Sequence, residues 1–183
     1  MRSSALAAIV ATALLLSGCS DDPSDDVAPG SAASADADAA TTLIQTGLDQ
    51  MAAGDDSAAR TTFENVLALD PANVYALYNL GVIAQNADSS DEAIDYYDQA
   101  LVAQPDYTPA LYNKAILLET RDLDQSVQLY RQVIGVDDQL AAAYMRLGFA
   151  LVHLGETEEG EGYLEQGIML DPAMKDVDAP RYD

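Results

Sequence analysis

The fold is decided by residues 76–105, whose sequence is ALYNLGVIAQNADSSDEAIDYYDQALVAQP. Its small residues recur on both sides at a nearly constant spacing. One series returns after 34, 34 and 33 positions and consists of Gly47, Gly81, Ala115 and Gly148. A second series returns after 34, 33 and 34 positions and consists of Ala59, Ala93, Ser126 and Gly160. Together the two series divide most of the chain into four units.

The four units share an internal plan. A large residue lies four positions after each member of the second series, at Phe63, Tyr97, Tyr130 and Leu164. The units close on Pro71, Pro105, Asp138 and Pro172. Because the two series shorten at different steps, one residue is deleted between Ala115 and Ser126. We place this deletion in the turn at residues 120–125, where it leaves the register of both helices unchanged.

This pattern resembles the tetratricopeptide repeat, a helix–turn–helix unit of about 34 residues. The residues that carry the resemblance best are Leu80, Gly81, Ala93, Tyr97, Ala100 and Pro105. The resemblance implies an all-α solenoid of about eight helices over residues 41–174, with repeats at 40–73, 74–107, 108–140 and 141–174. The departures from the family pattern are Leu77 and Leu111 for Trp, Lys114 for Leu, Asp138 for Pro and Gly160 for Ala.

The residue types also have physical reasons. Two antiparallel helices approach closely only where the side chains at their crossing are small. Gly81 and Ala93 are placed to allow this approach, and Tyr97 fills the space beside them. The predicted helices cover residues 41–53, 57–69, 74–86, 90–103, 108–120, 124–134, 141–153 and 156–170.

The N-terminus has the features of a lipoprotein signal peptide over residues 1–18. Arg2 precedes an apolar run at residues 5–16, which is too short to span a bilayer. The run ends in a sequence that resembles the bacterial lipobox, which implies cleavage after Gly18 and lipidation of Cys19. The alternative is an ordinary cleaved signal peptide with an incidental cysteine. Ser20 favours the outer over the inner membrane by the sorting rule of enteric bacteria, so we expect a lipid-anchored protein that faces the periplasm.

Residues 19–40 are small, acidic or turn-forming, so we expect the lipidated cysteine to be followed by a disordered acidic linker. Asp36 and Asp38 lack the glycine turn and closing glutamate of an EF-hand loop, and a calcium site is not expected. Residues 175–183 form a C-terminal tail.

The composition excludes several classes of function. There are 31 acidic and 8 basic residues, a net charge of −23, which disfavours nucleic acid and anionic lipid surfaces as partners. His153 is the only histidine and Cys19 the only cysteine. The sequence therefore does not contain the side chains that a zinc site or a nucleophilic catalytic site needs. We therefore predict no catalytic residue, no metal ligand and no cofactor.

The resemblance implies that the first helix of each repeat lines a concave face that binds a partner peptide. The candidate groove residues are Tyr75, Tyr78, Asn79, Val82, Tyr112, Asn113, Ile116, Arg146 and Phe149, with Glu119, Met145 and His153 on the same face. Aromatic and amide side chains suit an extended peptide. The alternative is that Tyr75 and Tyr112 only pack between repeats. Asn113 and Arg146 match two positions of the family's carboxylate clamp, but the others do not match and a clamp is not expected.

The last helix is unusual because it contains Gly160, Gly162 and Gly167, each costing about 1 kcal/mol relative to alanine. Repeat arrays also need a polar cap after the last unit, and the tail is short and contains Pro180. We therefore expect an apolar end-face that is covered by the tail, by self-association through the C-terminal repeat or by a partner. Its residues are Tyr163, Ile168 and Met169.

For function, the resemblance implies a scaffold without catalytic activity. It is similar to repeat lipoproteins that help to assemble type IV pili and secretins, or outer-membrane and cell-wall complexes. The alternative is an accessory subunit that activates an envelope enzyme such as a peptidoglycan synthase or hydrolase.

Overall fold

The structure is a computed structural model that describes residues 29–182, with side chains from residue 36 onward. In this range the chain forms eight α-helices and a final 3-10 helix, and no strand. The helices are α1 (Pro29–Ala52), α2 (Asp56–Leu69), α3 (Val74–Asn86), α4 (Ser90–Ala103), α5 (Thr108–Leu118), α6 (Leu123–Val136), α7 (Ala141–His153) and α8 (Thr157–Leu170), and the 3-10 helix is η1 (Pro172–Asp176). Consecutive helices pack as antiparallel pairs, which confirms the predicted all-α solenoid of four repeats. The predicted signal peptide and Cys19 lie outside the described residues.

Helix α1 begins at Pro29, earlier than the predicted start at residue 41. The segment from 29 to 40 contains six alanines, the residue with the highest helix propensity, and proline is favoured in the first turn. Ala40 is also buried in the core beside Phe63. The second half of the predicted linker is therefore helical, because propensity and docking against α2 outweigh its lack of large apolar residues. The first half of that linker is not among the described residues.

The turns inside the repeats explain the one-residue deletion. In the first, second and fourth repeats the turn contains a left-handed residue: Gly54 (φ 77°), Asp88 (φ 56°) and Gly155 (φ 89°). The third turn has no such residue in the described chain, and α5 ends at Leu118. Here the Asp122 N–H donates to the carbonyl of Leu118 over 2.8 Å. The deletion thus lies at this turn and removed the left-handed position.

The close helix crossings predicted for glycine and a large partner are present. A Cβ at Gly81 would lie 2.7 Å from Cδ1 of Tyr97, and a Cβ at Gly47 would lie 2.7 Å from the ring of Phe63. Tyr97 and Phe63 are fully buried. Each ring therefore occupies the space that a missing side chain leaves on the facing helix.

Helix α8 uses two of its glycines in the same way. A Cβ at Gly160 would lie 2.7 Å from the carbonyl oxygen of Gly148, and one at Gly167 would lie 2.8 Å from the sulfur of Met145. Gly162, in contrast, has open space around it. The cost of Gly160 and Gly167 to helix propensity is therefore offset by close packing of α8 on α7.

Ion pairs connect neighbouring repeats. Five of the seven basic residues within the described range form them, and all five pairs cross from one repeat to the next. The pairs are Arg60–Glu92, Lys114–Asp98, Arg121–Asp91, Arg131–Glu159 and Arg146–Glu119. Most of the positive charge is thus held within the solenoid, and the surplus of carboxylates faces solvent. None of the helices that the structure describes is long and apolar enough to span a bilayer.

Candidate peptide-binding groove

The groove has two halves, and the first is a cluster of tyrosines where α3 meets α5. The ring of Tyr107 lies edge-on to Tyr78, with centroids 5.5 Å apart, and to Tyr75, with centroids 6.0 Å apart. Tyr75 is 54% exposed. Burial raises the pKa of Tyr78 and of Tyr107, so both hydroxyls stay protonated and can donate hydrogen bonds. Tyr107 was not among the predicted groove residues, although its position directly before the first helix of a repeat could have identified it.

The amides predicted for this half are used within the fold. The Asn79 Nδ2 donates to the carbonyl oxygen of Tyr75 over 2.7 Å, and Asn79 is only 8% exposed. The Asn113 Nδ2 donates to the hydroxyls of Tyr78 and Tyr97, both over 3.3 Å. An amide has two donor hydrogens, and both of Asn113 are occupied. Neither amide is placed to donate to a peptide, so the tyrosines remain as the polar groups of this half.

The two aliphatic candidates pack partly against the hydrophobic core. Val82 is half-buried against the core under α3 and α4, and Ile116 is half-buried against the core under α5 to α7. Both therefore contribute to packing between helices, and neither lines the pocket at Tyr75 or the pocket at Tyr112.

The second half of the groove lies where α5 meets α7. Tyr112 of α5 and Met145, Arg146 and Phe149 of α7 line one pocket there. The ring of Tyr112 is 5.8 Å from that of Tyr130 beneath it. The structure therefore brings Tyr112 together with the predicted residues of α7, whereas Asn113 and Ile116 do not line this pocket.

Arg146 is engaged in an internal network. It donates to Glu119 over 2.7 Å, and the Tyr130 hydroxyl donates to the other oxygen of the same carboxylate over 2.7 Å. Burial alone would lower the pKa of Arg146, but the hydrogen bond and negative charge of Glu119 raise it above its ordinary value. Burial, and next the hydrogen bond to Glu119, raise the pKa of Tyr130. Arg146 is therefore a charged, paired group and not a free clamp for a partner's carboxylate.

The C-terminal tail lies on this second half. Met174, Val177, Asp178 and Pro180 line the same pocket as the α5 and α7 residues. The ring of Tyr182 packs on the core under α5 to α7, with its centroid 4.9 Å from that of His153. This contact was not predicted, although Pro180 two residues before Tyr182 could have indicated an ordered extended segment.

Two sequence comparisons identify the family. Family models described as "Tetratricopeptide repeat" match residues 44–108 and residues 141–174. The chain belongs to the tetratricopeptide-repeat family.

Curated proteins similar to this repeat protein are much longer than the matched part. It is 34% identical over 64 residues to the photosystem I assembly protein Ycf3 of Acaryochloris marina, a match that covers 31% of this chain and 39% of that one. It is 30% identical over 115 residues to the protein O-mannosyl-transferase Tmtc3 of Drosophila melanogaster, covering 62% of this chain and 12% of that one. The match thus spans less than half the length of each of these relatives.

Solved structures share the fold of this repeat protein. The crystal structure of MamA superposes with a TM-score of 0.67 at 21% identity and covers 81% of this chain and 87% of that one. Pseudomonas aeruginosa pilF gives a TM-score of 0.68 at 20% identity and covers 76% and 66%. At these identities the likeness shows the fold alone.

The predicted end-face of the repeat protein is only partly exposed. Tyr163 is half-buried, with its ring 6.1 Å from that of Tyr144. Ile168 is also half-buried, whereas Met169 is 79% exposed. The tail leaves Met169 uncovered, because after η1 it turns onto the groove. Self-association or a partner at this face stays a prediction.

Chemically, the site is suited to binding. Across residues 36–182 no group of three or more His, Cys, Asp or Glu side chains is arranged to hold a metal ion. The exposed ring of Tyr75 and the half-buried aromatic rings beside it suit an extended protein segment, and repeats of this family bind proteins. The chain is a scaffold for protein–protein interaction.

Proposed function

We propose that this protein is a lipid-anchored adaptor that binds a segment of a partner protein during assembly of a bacterial envelope complex, such as a type IV pilus, its secretin or outer-membrane machinery. The single observation that carries the binding site is the tyrosine cluster of Tyr75, Tyr78 and Tyr107. The lipobox-like sequence that ends at Cys19 supports the anchor. An assembly role is supported by the similarity to Ycf3, which is named a photosystem I assembly protein, and by the likeness in fold to pilF.

Charge and shape select the partner. Tyr75 lines a pocket at the α1 side of the cluster, together with Ile44, Leu69, Asp36 and Asp70. Two carboxylates beside apolar side chains favour a segment with a basic residue next to an aliphatic one. The net charge of −23 would speed the encounter with such a segment and repel an acidic one.

The experiment is site-specific photo-cross-linking in membranes. A photoreactive phenylalanine analogue replaces Tyr75 in one variant and Val102 in a matched control, because Val102 is 85% exposed on α4, outside the groove. We expect the probe at position 75 alone to capture a reproducible set of envelope-complex subunits. The substitution Tyr78→Ala in the same chain should reduce this capture. The same proteins at both positions, or none at position 75, would contradict the proposal. Capture of a cell-wall synthase or hydrolase would favour an activator subunit instead.

A further inference from the structure

The tail runs along α7 as an extended chain. Val177 has extended backbone angles (φ −83°, ψ 125°) directly after η1. It shares a pocket with Ala142 near the start of α7, while Tyr182 meets His153 at its end. The eleven helical steps from 142 to 153 rise about 16 Å, and the five extended steps from 177 to 182 rise about the same. The segment therefore follows nearly the whole of α7, in the same direction as the helix.

The tail contacts the groove as an extended peptide would. Pro180 and Tyr182 are half-buried, whereas Ala179 and Arg181 are exposed, which is the period-2 alternation of an extended chain. Proline fixes its own φ and restricts the preceding residue to extended conformations, which lowers the entropy lost on docking. The inward-facing residues thus form a short pattern, a proline two residues before an aromatic ring.

The fit of the tail is incomplete. The Tyr182 hydroxyl is buried and has no hydrogen-bond partner among the residues that the structure describes. Val177 is 47% exposed. A buried hydroxyl without a partner weakens binding, so an aromatic ring without it would fit the same place better. The unpaired hydroxyl and the half-exposed Val177 therefore leave the tail with less than the full binding energy that this pocket could provide.

We propose that residues 177–182 are a tethered occupant of the half-groove between α5 and α7, and that this half-groove binds an extended segment of another protein with a proline two residues before an aromatic residue. The inference rests on the proposed function, since it assumes that the groove serves to bind a protein segment. A short tether holds the tail at an effective concentration of order 1 mM. A partner segment must displace the tail at this effective concentration, so the tail raises the affinity or concentration that a partner needs in order to bind.

The test measures binding of a labelled peptide, acetyl-VDAPRY-amide, to the full chain and its variants. Tyr182→Ala removes the anchor of the tail and should bind the peptide at least about 10-fold more tightly than the wild type, because tethered competition is lost. Pro180→Gly keeps the ring of Tyr182 and should give a smaller gain, so the proposal stays testable if Tyr182→Ala disturbs folding. The control Val102→Ala, whose side chain is exposed on α4 outside the groove, should equal the wild type.

Peptide variants test the recognition pattern. On the Tyr182→Ala protein, a peptide with phenylalanine in place of its tyrosine should bind as well or better, and one with alanine should not bind. Phe149→Ala in the same protein should weaken binding, since Phe149 lines the pocket. Equal peptide affinity for wild type and both tail variants, or no binding to any of them, would overturn the proposal. Wild-type dimers that disappear in Tyr182→Ala would assign the site to the tail of a second copy and would also overturn it.

Failure of this inference can be told apart from failure of the proposed function. Cross-linking at Tyr75 reports the α3 side of the groove, and the pocket that the tail enters is formed by α5 and α7. If the peptide does not bind but Tyr75 still captures envelope proteins, only the inference about the tail fails. If the peptide binds as expected and Tyr75 captures nothing, the adaptor role fails while the tail remains a competitor.

Discussion

Arg146 of α7 and Glu119 at the end of α5 form an ion pair over 2.7 Å that joins the third repeat to the fourth. Glu119 is 5% exposed and also accepts a hydrogen bond from Tyr130. One repeat earlier, Gln85 has the place of Glu119 and accepts from the hydroxyl of Tyr97 over 2.8 Å. The same position is therefore neutral in one repeat and charged in the next, and the charged form needs Arg146.

The first prediction concerns this pair. Arg146→Met leaves the carboxylate of Glu119 buried without its cation and should lower the free energy of unfolding by about 2 kcal/mol. Adding Glu119→Gln should recover most of this loss, because glutamine reproduces the arrangement of Gln85 and Tyr97. Urea unfolding followed by circular dichroism measures both. A double variant no more stable than the single one would contradict this account of the site.

The second prediction uses two glycines in helix interiors. Gly81→Ala places a methyl group against the buried ring of Tyr97 and should destabilise the protein by about 1–3 kcal/mol. Gly162→Ala is the matched control, since its Cβ meets open space and the substitution should stabilise α8 by about 0.5–1 kcal/mol. Thermal unfolding of the two variants should shift in opposite directions. A similar rise of the melting temperature in both variants would contradict the prediction, because helix propensity alone would then explain the two effects.

The third prediction is sensitivity to alkali. Burial raises the pKa of Tyr97 and of Tyr130 in the folded state above the ordinary 10.0. Above pH 10 the unfolded chain loses these protons while the folded chain keeps them, so stability is retained below pH 10 and falls as the pH rises. The slope is about 1.4 kcal/mol per pH unit for each tyrosine. Urea unfolding from pH 8 to 11 checks this, and Tyr97→Phe with Tyr130→Phe should flatten the decline.

The fourth prediction concerns the anchor at Cys19. The wild-type protein should fractionate with membranes, and mass spectrometry should find a mature chain that begins at an acylated Cys19. Cys19→Ser should release the protein from the membrane or leave the signal peptide uncleaved, whereas Ser20→Ala should remain acylated. An unmodified mature N-terminus in the wild type would disprove the lipoprotein assignment.

Much of the fold was predictable because it repeats. Helices α3, α4 and α7 have the predicted bounds, since small residues, large residues and prolines fix the same local pattern in each repeat. The extra turns of α1 were not predicted, because a segment without large apolar residues was expected to stay unfolded, and its helix depends on alanine propensity and on the docking of Ala40. In the groove, the helices that carry the candidate residues were predicted, but the partners of Asn79 and Asn113 were not.

The sequence by itself determined that four helix pairs stack, because periodic spacing and helix propensity act over short stretches of chain. Only the tertiary structure decided which groove residues are available to a partner. Asn113 is occupied by Tyr78, 35 positions away, and Arg146 by Glu119, 27 positions away. The tail covers the second half of the groove by packing, with the ring of Tyr182 against that of His153. Such contacts depend on the distances between side chains of different repeats. The repeating sequence pattern specifies the helices within each repeat but does not specify these distances.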